Sequence, residues 1–126
     1  MPITYEIDEA AGRVYVRFTG TVTDADLMAT FQRLYQDPRH RVGMAELTDC
    51  RPVERVEITG AGLQRLADAT GAWLDPAGTG WRVAVVVPND EVFGLGRMYE
   101  LLREGSPENV RVFRDMALAE RWLDES

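Results

Sequence analysis

Apolar and polar residues alternate at the start of the chain. They alternate in residues 3–7 and again in residues 14–18, and a turn-like segment that ends in Gly12 separates the two runs. Two runs of period two around a short glycine-containing turn predict a β-hairpin. We expect the hairpin to add one antiparallel strand at the edge of a larger sheet.

Four later stretches carry apolar residues at the spacing of an amphipathic helix. The first is predicted to begin at Thr23, with Asp26 three residues later as in a capping box, and to end at Asp37 before a proline. The predicted starts of the other three are Thr59 or Gly60, residues 88–90, and Asp115. The positions expected to face inward are Leu27, Phe31, Leu34 and Tyr35, then Leu63, Leu66, Ala67, Thr70 and Leu74, then Val92, Leu95, Tyr99 and Leu102, and finally Leu118, Ala119, Trp122 and Leu123.

Three further segments predict strands between these helices. They are residues 44–48, 83–87 and 110–113, and the second of them is an unbroken, valine-rich run typical of a strand covered on both faces. The predicted order is β-β-α-β-α-β-α-β-α. It indicates a single α/β domain over residues 1–126, with a mixed, mainly parallel five-stranded sheet and about four helices.

Parallel sheets bind ligands at the carboxyl ends of their strands. In this chain that rule selects residues 49–51, 88–90 and 114–115, which also precede predicted helices. We therefore expect a ligand crevice at this edge, with Asp49, Arg51 and Asn89 among the residues that line it.

Composition excludes several classes of enzyme. All 14 basic residues are arginine, so neither a Schiff-base lysine nor a phosphate-binding P-loop lysine is present. His40 and Cys50 are the only residues of their types, too few for an ordinary zinc site. Ser106 lacks the glycines of a nucleophile elbow. We expect no metal and no cofactor.

The charge balance bears on partners and location. The 126-residue chain has a formal net charge of −7 and no basic cluster, which argues against nucleic acid as a partner. No signal peptide and no apolar stretch of membrane-spanning length is visible, and a single cysteine forms no internal disulfide. We expect a cytoplasmic protein, and peripheral membrane contact stays open.

Two motifs resemble a known family. The valine-rich strand runs into residues 86–100, VVPNDEVFGLGRMYE, and the chain nears its end with residues 112–123, VFRDMALAERWL. Both resemble the bacterial SpoIIAA-like family, small single-domain proteins of the STAS-like fold. The resemblance spans nearly the whole chain, and it implies a fold shared with anti-sigma-factor antagonists and compared with CRAL-TRIO-type lipid-transfer domains.

The chain departs from the antagonists at their regulatory motif. Those proteins carry Asp-Ser-Ser-Gly-Leu at the start of the helix after the third strand, and the second serine is phosphorylated. The corresponding stretch here is Thr59-Gly60-Ala61-Gly62-Leu63. Ala61 stands at the switch position and accepts no phosphate, while Thr59 is best explained as a helix cap.

Several candidate residues keep two interpretations. The start of the second helix, at Gly60 and Gly62, suits an anion or a partner's backbone, or it serves only a turn and close packing. Arg97, which follows two glycines, either binds an anionic head group or forms a salt bridge to Asp90, Glu91 or Asp49.

Aromatic and sulfur side chains near the third helix raise the same question. Phe93, Met98 and Tyr99, with Trp73 and Trp81, line an apolar pocket or belong to the core, and the loop between the two tryptophans is a candidate lid or membrane contact. A Cys50–His40 pair is a weaker candidate, and so is acid–base chemistry by Asp49 with Glu46 or Asp90. The alternative for the first is a small buried cysteine and an exposed loop histidine, and separated carboxylates on an acidic protein are usually solvated surface.

The sequence thus predicts a non-catalytic STAS-like module that binds a partner protein or a small ligand. The alternative is a carrier of an apolar, lipid-like ligand with an acidic head, which requires a pocket of roughly 300 Å³ or more. An enzyme is not expected. A homodimer through the hairpin edge or the last helix with Trp122 stays open. The candidate ligand-binding residues are Asp49, Arg51, Thr59, Gly60, Asn89, Phe93, Arg97, Met98 and Tyr99.

Overall fold

Strands and helices alternate as the sequence predicts, with two short strands added. The computed structural model describes residues 1–125. Its elements are β1 (Ile3–Asp8), β2 (Arg13–Phe18), β3 (Gly20–Thr23), α1 (Asp24–Gln36), β4 (Ala45–Asp49), β5 (Val53–Glu57), α2 (Gly60–Leu74), a 3₁₀ turn (Asp75–Ala77), β6 (Trp81–Val86), α3 (Asp90–Leu102), β7 (Glu108–Phe113) and α4 (Met116–Asp124).

The main sheet has five strands in the order β1-β2-β4-β6-β7. β1 pairs antiparallel with β2, and Ile3 lies opposite Phe18. The pairs β2–β4, β4–β6 and β6–β7 are parallel, so the carboxyl ends of these four strands meet at one edge. The predicted mixed, mainly parallel sheet with an antiparallel edge strand is confirmed.

A second, two-stranded sheet was not predicted. It pairs β3 with β5 in parallel. Gly20 has a positive φ of 60° and turns the chain out of the main sheet after β2. In β5 the valines stand three positions apart, at Val53 and Val56, so the segment lacks the strict alternation that announces a strand.

Helices cover the two faces of the main sheet unequally. Helices α1 and α2 and the start of α3 pack on one face, where they form the largest core cluster. Helix α4 covers the other face at β4 and β6, with Ala119, Trp122 and Leu123 buried against it. Leu118, predicted to face inward, is 49% exposed. The prediction is wrong because residues 119, 122 and 123 define the buried side of α4, and Leu118 lies about 100° away from Ala119 around the helix.

All four predicted helix starts are capped, three of them by the residue expected to cap and the third helix by Asn89. Thr23, Thr59, Asn89 and Asp115 are the N-caps of α1 to α4, and each side chain accepts a hydrogen bond from a backbone N–H in the first turn. At Thr23 the partner Asp26 completes the predicted capping box.

Close packing explains one of the two glycines in α3. A Cβ on Gly96 would lie 3.0 Å from a methyl carbon of Val112, so this glycine lets α3 approach β7. A Cβ on Gly94 would meet no atom within 4 Å. No helix within residues 1–125 is both long and apolar enough to cross a membrane.

Candidate functional site: a cavity between the sheet and three helices

A cavity of about 90 Å³ lies between the main sheet and helices α1, α2 and α3. This volume is several times the ~15 Å³ that one water molecule needs, and well below the ~300 Å³ of a pocket for a drug-sized ligand. The lining residues are Phe18, Leu27, Phe31, Tyr35, Glu46, Thr48, Cys50, Val53, Val56, Ile58, Leu63, Leu66, Val83, Val85, Val92, Leu95, Gly96, Tyr99 and Glu108.

The cavity wall is almost entirely apolar, and its few polar side chains include two acids. Glu46 comes from β4 and Glu108 from the start of β7, and both are buried. Tyr35 of α1 and Tyr99 of α3 hydrogen-bond to them from the helix side. The site is therefore an apolar chamber with two phenol–carboxyl pairs in its wall.

Glu46 is a carboxyl group without a cationic partner among residues 1–125. It is only 1% exposed, and its hydrogen-bond partner is the Tyr35 hydroxyl, 3.1 and 3.0 Å from its two oxygens. Burial, and then the negative charge of Glu108, raise the pKa of Glu46 to about 8, although hydrogen bonds from Tyr35 and Trp81 act in the opposite direction. At neutral pH Glu46 is therefore mostly protonated.

Glu108, in contrast, belongs to a buried ion-pair network. Arg103 Nε donates to Glu108 at 2.7 Å, and the Tyr99 hydroxyl donates to the same oxygen at 3.0 Å. The terminal nitrogens of Arg103 bind Asp75 at 2.6 and 3.1 Å. One buried guanidinium thus serves two carboxylates from different parts of the chain. Its hydrogen bonds to both outweigh the cost of burial and raise the pKa of Arg103.

Two buried polar atoms beside this network are poorly satisfied. Thr70 Oγ1 and Trp81 Nε1 are inaccessible to solvent and make no hydrogen bond of normal geometry. They nevertheless lie near enough to Tyr99 and Glu46, respectively, to offset part of the rise that burial causes in the pKa of each. An unsatisfied buried donor or acceptor costs about 1–3 kcal/mol. Both groups therefore have unused hydrogen-bonding capacity, although neither residue lines the cavity.

The single thiol lines the same cavity. Burial raises the pKa of Cys50 to about 12, so the thiol is protonated at neutral pH and a poor nucleophile. His40 makes an edge contact with the ring of Tyr35, 5.1 Å between ring centres, and burial lowers its pKa. The burial of the Cys50 thiol and the ring contact of His40 are both typical of residues with a structural role.

The start of α2 is occupied by the protein's own carboxylate. The backbone N–H and the hydroxyl of Thr59 donate to Asp24 at 2.9 and 2.7 Å, and these bonds lower the pKa of Asp24. A Cβ on Gly62 would lie 2.1 Å from the Asp24 carboxyl group. The Thr59 donors at the start of α2, where the sequence predicts an anion, are thus bound to an intramolecular carboxylate that also packs against Gly62.

Residues predicted for the crevice at the strand ends make contacts within the chain. Arg51 forms a bidentate pair with Asp49, with Nε and Nη2 at 2.9 and 3.0 Å from the two carboxyl oxygens. Partial burial acts to raise the pKa of Asp49, but the hydrogen bonds from Arg51 outweigh it and lower that pKa. The side chain of Asn89 caps α3 by accepting from Val92 N–H at 3.0 Å.

The predicted site residues on α3 point in different directions. Arg97 pairs with Glu100, which was not among its predicted partners. Met98 is 41% exposed, and the Arg114 guanidinium lies 4.6 Å above the ring of Phe93. Tyr99 alone among the nine candidate residues, all of them described, lines the cavity.

The remaining candidates separate as well. Glu46 and Asp49 stand three positions apart on β4 and so point to opposite faces of the sheet, while Asp90 is exposed and paired with Arg114. Trp81 is buried and Trp73 partly buried in one cluster. Trp122 is buried where α4 packs on the main sheet, and β1 is an edge strand of that sheet.

Sequence reasoning missed the polar residues of the cavity. The sequence presents Glu46 only as a partner of Asp49, and it gives no sign of Glu108 or Arg103 as site residues. One signal was present: alternation along β4 places Glu46 on the same face as Met44 and Thr48, inside a sheet predicted to be covered. Among residues 1–125, no group of three or more His, Cys, Asp or Glu side chains is placed to hold a metal ion.

Comparisons with known proteins identify the fold. A scan against protein-family models finds no match, and no curated protein matches the chain. Among solved structures, the chain is similar to an uncharacterised protein of the DUF3478 family from Shewanella loihica PV-4, described as having a SpoIIAA-like fold, with 16% sequence identity and a TM-score of 0.60. The likeness covers 96% of this chain and 91% of that one. The resemblance seen in the sequence is confirmed for the fold, and the protein is an α/β domain with a SpoIIAA-like fold.

Proposed function

We propose that the protein is a non-catalytic STAS-like module that binds a small apolar group in the cavity between the sheet and α1 to α3. The observation that carries the proposal is the cavity itself, which has about 90 Å³ of space and an almost wholly apolar wall. A void of this kind costs stability because its wall lacks packing partners. A ligand that fills it recovers those contacts.

The size of the cavity narrows the ligand. At about 90 Å³ it has room for a ring or a short chain and not for a whole lipid. The carrier hypothesis needs Phe93, Met98 and Tyr99 around the ligand and Arg97 at its head group, and only Tyr99 of these four lines the cavity. A compact ligand, or the end of a longer one, therefore fits better than a complete lipid.

A partner switch of the antagonist type has less support. Ala61 has no hydroxyl to phosphorylate, and the start of α2 is filled by Asp24. Binding to a partner protein requires a continuous exposed apolar patch. On α3 only the neighbouring Met98 and Leu101 offer one, with 41% and 54% exposure, within the described part of the chain. The cavity is the stronger basis for a function.

Support for a non-catalytic role comes from the chemistry of the same wall. The Cys50 thiol is protonated, and Glu108 is held by Arg103 and Tyr99. Glu46 and Asp49 face opposite sides of the sheet. Cys50, Glu46 and Glu108 all line the cavity, but a protonated thiol and a carboxylate engaged by Arg103 favour a binding role over proton transfer.

Methyl NMR with 1-pentanol as the probe tests the proposal. We expect saturable shifts of methyl groups in the cavity wall, such as those of Val56, Leu63 and Leu66, and a rise in Tm with added alcohol. Val85→Phe places a ring in the cavity and should abolish both effects. The matched control is Val42→Phe, a half-buried valine outside the cavity.

The proposal fails if the shifts never saturate, or if they spread evenly over surface methyl groups. It also fails if folded Val85→Phe binds pentanol as the wild type does. Should Val85→Phe not fold, the location of the wild-type shifts decides the question without it.

A further inference from the structure

The charges around the cavity are unbalanced. Two acids, Glu46 and Glu108, reach its wall, and Asp75 lies on the far side of Arg103. Arg103 is the one cation that pairs with any of these three carboxyl groups within residues 1–125. If all three were ionised, one positive charge would face three negative charges.

Arg103 is fully committed to two of the three acids. Its Nε binds Glu108, and its two terminal nitrogens bind Asp75. Its side chain is buried along with that of Glu108. Glu46 therefore has no ion-pair partner in the described part of the chain, and it meets only the neutral hydroxyl of Tyr35 and the indole of Trp81.

We propose that the ligand of this cavity is a compact aliphatic amine, whose hydrocarbon part fills the apolar space and whose ammonium group pairs with Glu46. The inference rests on the proposed function, since it names the ligand class of that same cavity. A cation supplies the charge that the wall lacks. An anionic head group would instead face a wall already lined by acids. The proposed head group therefore has the opposite charge to the acidic one expected from the sequence.

The pairing has a defined proton balance. An aliphatic amine resembles the lysine side chain, whose pKa is about 10.4, and enters as ammonium at neutral pH. Glu46 is then mostly protonated, with a pKa of about 8. Formation of the pair requires the Glu46 proton to leave for solvent, after which the ammonium N–H donates to the new carboxylate. Binding thus releases close to one proton at neutral pH.

Other titratable groups near Glu46 change little in this step. Tyr35 and Tyr99 are held neutral by burial, which raises the pKa of both well above its usual value. Glu108 keeps its contacts to Arg103, and His40 lies on the ring of Tyr35 with its pKa lowered by burial. The released proton is therefore assigned to Glu46.

Titration calorimetry with three five-carbon probes tests the inference. At about pH 7 we expect n-pentylamine to bind about tenfold or more tighter than 1-pentanol, and pentanoate not to compete. Measurement in phosphate and in Tris, which differ in ionisation enthalpy, should show about 0.9 proton released with the amine and none with the alcohol. Glu46→Gln should bring the ratio of the two affinities to about one. The control Glu54→Gln, at an exposed glutamate of β5, should leave that ratio unchanged.

The outcomes separate this inference from the proposed function. If pentanol binds saturably but pentylamine binds no tighter, or binds without proton release, the amine preference is wrong and the binding function stands. If none of the three probes binds, both fail. The proton count uses the wild-type protein alone, so the test does not depend on the folding of Glu46→Gln.

Discussion

The hydroxyl of Tyr35 lies 3.1 and 3.0 Å from the two carboxyl oxygens of Glu46. One side chain comes from α1 and the other from β4, so the contact ties a helix to the interior of the sheet. Burial, and then the charge of Glu46, raise the pKa of Tyr35 well above its usual value. The phenol therefore stays neutral over the whole range in which Glu46 titrates.

Glu46 should make the folded protein less stable as pH rises. Its pKa moves from the usual 4.5 to about 8 on folding, so the folded state holds this proton more tightly. The resulting stabilisation is complete below about pH 4.5 and is lost as pH rises through about 8. In Glu46→Gln this contribution is absent. The free energy of unfolding of Glu46→Gln, relative to that of the wild type, should therefore rise by roughly a few kcal/mol between about pH 5 and pH 9.

Urea unfolding at several pH values measures this difference. Glu54→Gln, at an exposed position of β5, is the control and should follow the wild type. A free-energy difference between Glu46→Gln and the wild type that stays constant with pH would contradict the prediction.

Arg103 should be among the most costly arginines to replace. Arg103→Met leaves Glu108 and Asp75 without their shared cation, and breaking a buried pair typically costs about 3–5 kcal/mol. The control is Arg39→Met, since Arg39 is half exposed and pairs with Asp37 at the surface, where loss should stay under about 1 kcal/mol. The free energy of unfolding in urea distinguishes the two. Adding Glu108→Gln to Arg103→Met should recover part of the loss, and equal losses for the two single variants would refute the argument.

Two glycines that both lie in helices should respond oppositely to alanine. Gly62→Ala drives a methyl group into the Asp24 carboxyl group, 2.1 Å away, and should cost about 1–3 kcal/mol. Gly94→Ala meets nothing within 4 Å and should gain up to about 1 kcal/mol from helix propensity. Thermal unfolding gives the sign of each change. The cost of Gly62→Ala should shrink in an Asp24→Ala background, and a full cost in that background would show that the clash is not its cause.

Arg82 should hold the end of α4 more firmly than Arg111 does. Its Nη1 donates to the Trp122 carbonyl at 2.7 Å, and its guanidinium carbon lies 4.9 Å from the centre of the Trp122 ring. Arg82→Met should cost about 1–2 kcal/mol and speed amide exchange in α4. Arg111→Met is the matched control, because Arg111 lies over the same ring at 5.8 Å. Equal exchange rates in α4 of the two variants would contradict this assignment.

The order of elements could be predicted because the signals are local. Caps at Thr23, Thr59, Asn89 and Asp115 and the valine-rich run of β6 depend on neighbouring residues only. The short strands β3 and β5 were not predicted, because they pair with each other across 30 residues or more and neither carries a clean alternation. Leu118 was misplaced because a nine-residue helix offers few positions from which to fix its buried side.

The site was harder to predict because distant residues build it. Asp24 reaches the start of α2 from 35 positions away, and no local pattern announces that a helix start is already filled. Glu46 and Glu108 meet at one cavity only through the strand order β4-β6-β7. Residue type and spacing identified the polar side chains at strand ends, where Asp49 pairs locally with Arg51 and Asp90 pairs across the fold with Arg114.

The carboxylate at the start of α2 is a covalent part of the chain. A tethered group is never diluted, and its effective concentration at its partner is commonly about millimolar or higher. Any free anion would have to compete with this effective concentration of Asp24 for the Thr59 donors. A side chain that can be phosphorylated has two charge states, which enzymes interconvert. Asp24, whose pKa is lowered by the hydrogen bonds from Thr59, has a single charge state at physiological pH throughout the lifetime of the protein.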